Sequence, residues 1–557
     1  MGWFCRHRTG LPVPNYFAFA SRNFGRGRRI IAPVLFSPCR WPHAVAVALA
    51  SAALALSPAA IADDASQDLP AFGKTSPLPL PAPSSQTLRN FPQNLPDLGD
   101  SSQAILSGVQ ERRFGESIVR EIRGSGMYLN DPEVNGYLNE LGNRLVTAIP
   151  GAPFDFEFFA VNDPSINAFA LPGGFVGVNT GLILLTQTES ELASVLGHEI
   201  THVTQHHIAR SIDNQKDALL AQIGALAAAV LASRSHSSSS GDMTSAAIAS
   251  AQGIAIQSQI NFTRQNEEEA DRLGFERTYA AGFDPSAMGT FFQRLQKASS
   301  WFEGNSPSYL HDHPETYQRI AEAQARAFTK PFRQVPDSLD FQMVRALLKS
   351  YEGSPHDAVL FFRDAIDEHK FNNEIAAHYG LVAALLRAED YKKALVELQA
   401  LEKIAPPHPM IDAMAGQVLM QSGQLKAAIA RYQAALVHYP NKMQLVYDYP
   451  EALLKNNQPA QAASFLEQQL QRFPSDGALH QIAARVYAAL GKQLLEHQHQ
   501  AEFYAWMGNL RAAVMQLELA VKAGDGDFYQ QSAAESRLRA VRQELMEQDK
   551  TMAAGRG

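Results

Sequence analysis

The 557-residue chain reads as a mostly helical α+β domain with a small sheet, followed by an all-α solenoid of paired helices. Three observations carry that reading. Apolar residues recur at helical spacing in Pro132 to Val146 and again through Leu192, Val195, Leu196, Ile200 and Val203. The period drops to two at Phe154-Asp155-Phe156-Glu157-Phe158, and Asn167 to Val178 reads as a turn, through the Pro172-Gly173-Gly174 break, and then a second strand. Further on, Pro406, Pro440 and Pro474 are each 34 apart, and Ala394, Ala428 and Ala462 keep the same step.

The front of the chain stands apart from this fold. Hydrophobic residues make up 46% and charged residues 19%, a soluble globular composition, with length for about three domains. A net charge of -8 without a basic stripe argues against nucleic-acid binding. Residues 1–62 read as a cleaved signal peptide: an arginine-rich lead, an apolar run from Ala44 to Leu56, and a small-residue site ending at Ala62. That run is too short to span a bilayer comfortably. Both cysteines, Cys5 and Cys39, fall inside this leader. The mature chain then has neither disulfides nor a thiol nucleophile, which suits a bacterial periplasm. Residues 63–103, with Pro77-Leu78-Pro79-Leu80-Pro81, read as a Pro/Ser-rich linker.

The segment 104–330 carries the chemistry. A helix through Gly115 to Arg123 precedes the Pro132 helix. The glycines at 173 and 174 permit a close backbone approach, either in a plain hairpin or where Gly173, Gly174, Phe175 and Val176 hold an extended substrate at a sheet edge. Thr188-Glu189-Ser190-Glu191 reads as a capping box opening the next helix. On it, His198-Glu199-Ile200-Thr201-His202 is H-E-x-x-H: two imidazoles one turn apart on one face chelate a zinc ion, and Glu199 reaches the water it activates. A third ligand must come from another helix. Glu267 and Asp271 lie four apart in Asn266-Glu267-Glu268-Glu269-Ala270-Asp271. Glu267 is a candidate ligand, and Asp271 a candidate acceptor for a ligand histidine's second N–H. A solvated helix face has the same composition. His206 sits one turn too far along the helix to ligate, and both His206 and His207 read as structural or surface residues. Gly282 stops the acidic helix, and Asp284-Pro285 starts another. The Ala/Ser-rich stretch 218–256 is too short in its apolar runs to span a membrane. It reads as a packed helical pair or as a flexible hairpin in peripheral membrane contact.

The segments N-A-F-A-L-P-G-G, T-G-L, H-E-I-T-H and N-E-E-E-A-D together resemble the HtpX-like, prenyl-endopeptidase-related family of gluzincin metallopeptidases. With helical repeats behind them, they are similar to its periplasmic members. The resemblance implies an α+β zincin-like metallopeptidase domain, one Zn2+ per chain, and Glu267 as third ligand. It also implies that His313, in Leu310-His311-Asp312-His313-Pro314, lies over the metal as fourth ligand or switch. Tyr309 and His311 are weaker candidates for oxyanion contacts. Implied substrates are unfolded or misassembled outer-membrane proteins, and the implied partner is the barrel-assembly machinery.

Residues 338–548 hold the 34-residue step, with small residues at helix crossings and proline at the end of each unit, as in a tetratricopeptide solenoid. Asp357 to Ile366 and Gly508 to Ala513 read as an earlier and a later helix of the array, where the spacing breaks down. The expected activity is zinc-assisted peptide hydrolysis, with Glu199 as general base. The rivals are a periplasmic chaperone or assembly scaffold with a latent protease site, and a zinc hydrolase of small esters or amides.

Overall fold

The computed structural model describes residues 107–149, 155–208, 263–301, 309, 313 and 317–554. The expected leader 1–62, the linker 63–103, the Ala/Ser-rich stretch 218–256 and His311 lie outside these residues.

Two helices open the described chain, α1 (Gly108–Ser125) and α2 (Pro132–Thr147). Each starts where a side chain satisfies the orphan N–H groups: Ser107 with Gln110 in a capping box, and Asp131 ahead of a proline at the first turn. Three strands follow, β1 (Glu157–Val161), β2 (Ala168–Leu171) and β3 (Phe175–Asn179), in the order β1-β3-β2. β1 runs parallel to β3, with Glu157 opposite Phe175, and β2 runs antiparallel, with Leu171 opposite Phe175.

This order corrects one expectation. The strand after Gly173-Gly174 is the middle strand, so Phe175 and Val176 have neighbours on both sides and offer no edge to a substrate. The close approach signalled by the glycines is made by α1: a Cβ on Gly173 would lie 2.4 Å from Arg112 Cα, and Arg112 Nη1 donates to Gly173 O at 2.8 Å. Gly174 O accepts from Glu157 N at 2.9 Å. β2, which the sequence presents as part of a turn, forms one edge. Asn179 N donates to Asn167 O at 2.9 Å, so 167/179, 169/177 and 171/175 are the hydrogen-bonded pairs. Ala168 and Ala170 therefore aim their backbone groups away from β3. The opposite edge, β1, is closed by asparagines of α2: Asn139 bonds both Phe158 N and Phe158 O, and Asn135 Oδ1 accepts from Ala160 N.

Next come α3 (Thr180–Leu185), α4 (Glu189–Thr204), α5 (Arg264–Ala280), α6 (Ala287–Trp301) and α7 (Tyr317–Phe328). Thr188 caps α4 by accepting from Glu191 N at 3.2 Å, but the reciprocal half of the expected box differs, since Glu191 Oε2 accepts from Gln187 N. The expected start at Asp284-Pro285 is a turn, with Asp284 Oδ1 accepting from Ser286 N, and the α-helix begins at Ala287. β1 also begins at Glu157, later than the Phe154 alternation implied.

After the extended stretch 331–338, antiparallel helix pairs run to the end. They are α8 (Leu339–Tyr351) with α9 (Pro355–Asp367), α10 (Glu374–Arg387) with α11 (Tyr391–Ile404), and α12 (Pro409–Gln421) with α13 (Leu425–His438). Then follow α14 (Met443–Lys455) with α15 (Pro459–Arg472), α16 (Gly477–Ala489) with α17 (Gln493–Trp506), and α18 (Leu510–Lys522) with α19 (Phe528–Ala554). Ala394, Ala428 and Ala462 are each 0% exposed, which is why the step keeps them small. Gly380 and Gly416 face the rings of Phe362 and Tyr432, where an added Cβ would lie 2.3 and 2.2 Å from ring carbons.

One hydrophobic cluster runs from Val134 in α2 through α4 and on to Val418 in α12. The first repeats thus share the core of the segment that precedes them. Polar contacts line the same seam. Tyr351 Oη donates to Asp131 Oδ2 at 2.6 Å, and Ser338 Oγ donates to Glu189 Oε1 at 2.7 Å. Lys442 Nζ lies 3.5 Å from buried Glu133, whose carboxyl burial pushes up to about 7 against the pull of that ammonium. Farther along, the Arg123 guanidinium sits 4.4 Å over the Trp506 ring.

Candidate metal centre

Helix α4 is buried on every side: 15 of its 16 residues are buried, so it has no solvent-facing stripe. Polar side chains on such a helix must find partners inside the protein. α5 supplies them by lying almost against the α4 backbone. A Cβ on Gly274 would lie 2.9 Å from His198 N, and one on Gly197 would lie 2.9 Å from Gly274 O. Those two glycines let the acidic helix approach closely enough for Glu267 to reach both histidines.

Four donors converge there. His198 Nε2 and His202 Nε2 are 2.9 Å apart. The Glu267 carboxylate lies 3.5 Å from the first and 3.4 Å from the second. His313 Nδ1 completes the set, 3.3 Å from His198 Nε2 and 2.9 Å from Glu267 Oε1. All four ligand atoms lie within 4.8 Å of one another, and all four residues are buried. A tetrahedral ion held at about 2.0–2.1 Å needs donors roughly 3.3 Å apart, so the set has the spacing of a closed tetrahedral site. Glu199 stands beside it, its Oε1 3.5 Å from His313 Nε2.

Each ligand-bearing element is braced from behind. Asp271 Oδ1 lies 3.0 Å from His198 Nδ1. Arg319, on α7, holds Asp271 through Nε and Nη2 at 2.8 Å each and reaches Glu267 Oε2 through Nη1 at 3.0 Å. Burial works against the Asp271 carboxylate, but Arg319 and His198 outweigh it and hold its pKa well below the usual range. Burial likewise opposes the Glu267 anion, which His313, His198 and Arg319 pull down to about 2. His202 is kept neutral by burial and by the imidazoles of His198, His313 and His207 around it. His313 goes the other way: burial disfavours its cation, yet Glu267 and Glu199 lift it to about 9. The Tyr309 ring packs 4.7 Å from that of His313, and Tyr309 N donates to Ile166 O at 3.0 Å, on the outward side of the strand that continues into β2.

The fold thus gathers His198, Glu199, His202, Glu267, Asp271 and His313 from three separate stretches, and leaves Gly173 and Gly174 in the turn before β3 and Phe175 and Val176 inside the sheet. Sequence reasoning missed Arg319 and undervalued His207. A lone arginine on an amphipathic helix carries no signal. The side chain of His207 is fully buried, with Nδ1 3.0 Å from His202 Nδ1. The acidic trio divides its work: Glu267 faces the histidines, Glu268 pairs with Arg264 at the surface, and Glu269 meets His207.

Residues 132–327, which hold all four donors, match peptidase family M48, and residues 419–491 match the tetratricopeptide repeat. The β-barrel assembly-enhancing protease of Escherichia coli (strain K12) is 34% identical over 453 residues, covering 81% of this chain and 91% of that protein. A putative β-barrel assembly-enhancing protease of Vibrio cholerae is 33% identical over 430 residues, covering 76% and 87%. The metalloprotease LoiP of Escherichia coli (strain K12) is 28% identical over 224 residues, covering 40% and 82%. Among the described residues, no helix is long and apolar enough to cross a membrane. With four donors gathered in one buried cluster and the likeness running through most of both chains, the protein belongs to the M48 metallopeptidases.

Proposed function

We propose that the protein is a zinc-dependent endopeptidase of the periplasm. On this reading it degrades misassembled outer-membrane proteins and assists their assembly through its repeats. Supporting this is one observation above the rest: four buried donors at tetrahedral spacing with a carboxylate beside them. Zinc suits a set of imidazoles and one carboxylate. His198, His202 and Glu267 would hold it, and His313 would take the fourth position. The bound ion supplies Lewis acidity, acidifying a water molecule and polarising the scissile carbonyl. Glu199 accepts the proton of the attacking water and passes it to the leaving amine. Asp271 accepts the second N–H of His198 and sets its tautomer. The outward backbone groups of Ala168 and Ala170 on β2, unpaired on that side among the described residues, would hold the substrate in extended form.

His313 closes the site on this reading, so turnover requires His313 to move away from the other three donors. That closure favours a second reading, a periplasmic chaperone or scaffold with a latent protease site. The substrate class and the barrel-assembly partner follow the names of the relatives. Residues 1–62 are proposed as the export signal, cleaved after Ala62. Residues 63–103 are the linker, 104–330 the peptidase domain and 338–548 the repeats. Metal analysis of the purified protein, with digestion of casein by wild type, Glu199→Gln and His313→Ala, tests the proposal. One zinc per chain, loss of digestion in Glu199→Gln and a gain in His313→Ala are expected. No zinc, or full digestion by Glu199→Gln, would sink it. An assembly function that survives Glu199→Gln selects the scaffold.

A further inference from the structure

Helix α4 ends at Thr204, and the backbone then takes an unusual course. His206 has φ 51°, in the left-handed region, although it is not glycine. Such a conformation costs an L-residue roughly 1–2 kcal/mol. Its effect is to turn the chain back on itself. Had the helix continued, residue 207 would stand about 140° around the axis from His202, facing away from it. Instead its ring lies edge-to-face against His202, with centroids 4.9 Å apart and Nδ1 3.0 Å from Nδ1. On its other side, His207 Nε2 lies 3.1 Å from Glu269 Oε2, whose side chain is 32% exposed.

The hydrogens on this line can run in only one direction. His202 turns Nε2 toward the other donors. A neutral imidazole that gives its Nε2 lone pair to a metal carries its hydrogen on Nδ1. That hydrogen faces His207 Nδ1, which therefore accepts. His207 then carries its own hydrogen on Nε2 and donates it to Glu269, a carboxylate that only accepts. The two ligand histidines are thus braced differently: His198 by a carboxylate whose charge Arg319 neutralises, His202 by a second imidazole that leads to a surface carboxylate.

We propose that His207 and Glu269 are positioning residues of the metal centre, fixing the tautomer and ring plane of His202 from the side away from the ion. This rests on the reading of His202 as a ligand. The strained turn at His206 places His207 against His202. The turn that directly follows α4 supplies the brace for a ligand on that helix, so the H-E-x-x-H element effectively extends through residue 207.

The test is the zinc dissociation constant, measured by competition with a chromogenic chelator on the purified protein. It is paired with the visible absorption of the cobalt-substituted form and with thermal melting of the metal-free form. His207→Phe keeps the bulk and removes the acceptor, and is expected to weaken zinc by about 10–100-fold and to shift the cobalt bands. His207→Gln, whose amide oxygen accepts the same N–H, is expected to recover most of that loss. Glu269→Gln, at the exposed end, should weaken zinc by a smaller factor. Wild-type affinity and cobalt bands in a folded His207→Phe overturn the proposal. So does an equal loss in the Phe and Gln variants that tracks melting of the metal-free form, because that marks simple packing. Should His207→Phe fail to fold, unchanged affinity and bands in Glu269→Gln overturn it instead. A His202→Ala variant that binds zinc as tightly as wild type refutes the ligand reading, and the proposal falls with it.

Discussion

The metal centre and the repeat array are both made of helices packed in pairs, yet they treat charge in opposite ways. Around α4 and α5, Glu267, Asp271 and Arg319 are buried together and paired with one another, with Glu199 buried beside them. In the repeats, buried positions are mostly small or apolar, and ion pairs such as Arg485 with Glu451 stay near the surface. Removing a charge from the first region strands its partners in low dielectric, whereas water replaces a lost partner in the second. A close helix approach serves different ends too. Gly197 and Gly274 bring Glu267 within reach of His198 and His202, while Gly380 and Gly416 make room for aromatic rings.

Four measurements sharpen or break this contrast. The largest effect belongs to Glu199→Gln, which should lower peptide hydrolysis by about 10²–10⁴-fold while zinc stays bound, read as kcat on a casein-type substrate. Activity within a few-fold of wild type would remove Glu199 from the chemistry. Arg319→Met comes next: it strands Asp271 and Glu267, and denaturant unfolding should record a loss of about 3–5 kcal/mol. Arg485→Ala, in the repeats, should cost no more than about 0.5–1 kcal/mol, because that arginine is 40% exposed. Equal costs for the two arginines would erase the distinction between the regions. Gly416→Ala forces a methyl against the Tyr432 ring and should destabilise by about 1–3 kcal/mol without changing zinc affinity.

A further effect, also small, concerns pH at the seam. Glu133 titrates at about 7 in the folded protein against 4.5 for the free group, so its protonated form is the one the fold prefers. Its contribution to stability is present in full below pH 4.5 and fades as pH rises through 7. Glu133→Gln should therefore leave stability at pH 4 unchanged and raise it at pH 8 by about 1 kcal/mol, with Glu140 remaining near Lys442. Paired denaturation curves at the two pH values decide this, and a loss at pH 8 would mean that the Lys442 contact outweighs burial.

The repeats were nearly transparent in the sequence, because each unit repeats one local solution. Small residues at 394, 428 and 462 recur where helices cross, and the structure buries all three. The metal helix was equally plain, since ligands at one-turn spacing advertise themselves. The sheet was harder. β2 reads as part of a turn because Ala168 to Leu171 is buried on both faces and so has no alternation. Gly173 misled for a related reason: a glycine announces a close approach without naming what approaches, and here it is α1. Arg319 had no local signature, because its two carboxylate partners lie 48 and 52 residues away and become neighbours only when α7 packs on α5.

Local spacing alone determined that His198 and His202 share a helix face, that Glu199 accompanies them, and that the C-terminal half stacks in 34-residue units. Those facts follow from 3.6 residues per turn and need no distant contact. Folding decided the rest: which acid of the trio faces the histidines, that His313 comes within 3.3 Å of His198 Nε2, that β3 lies inside the sheet, and that a left-handed residue returns His207 to His202. These are choices between groups equally suited by type, and only packing in three dimensions, where each buried polar atom must find its complement, selects among them.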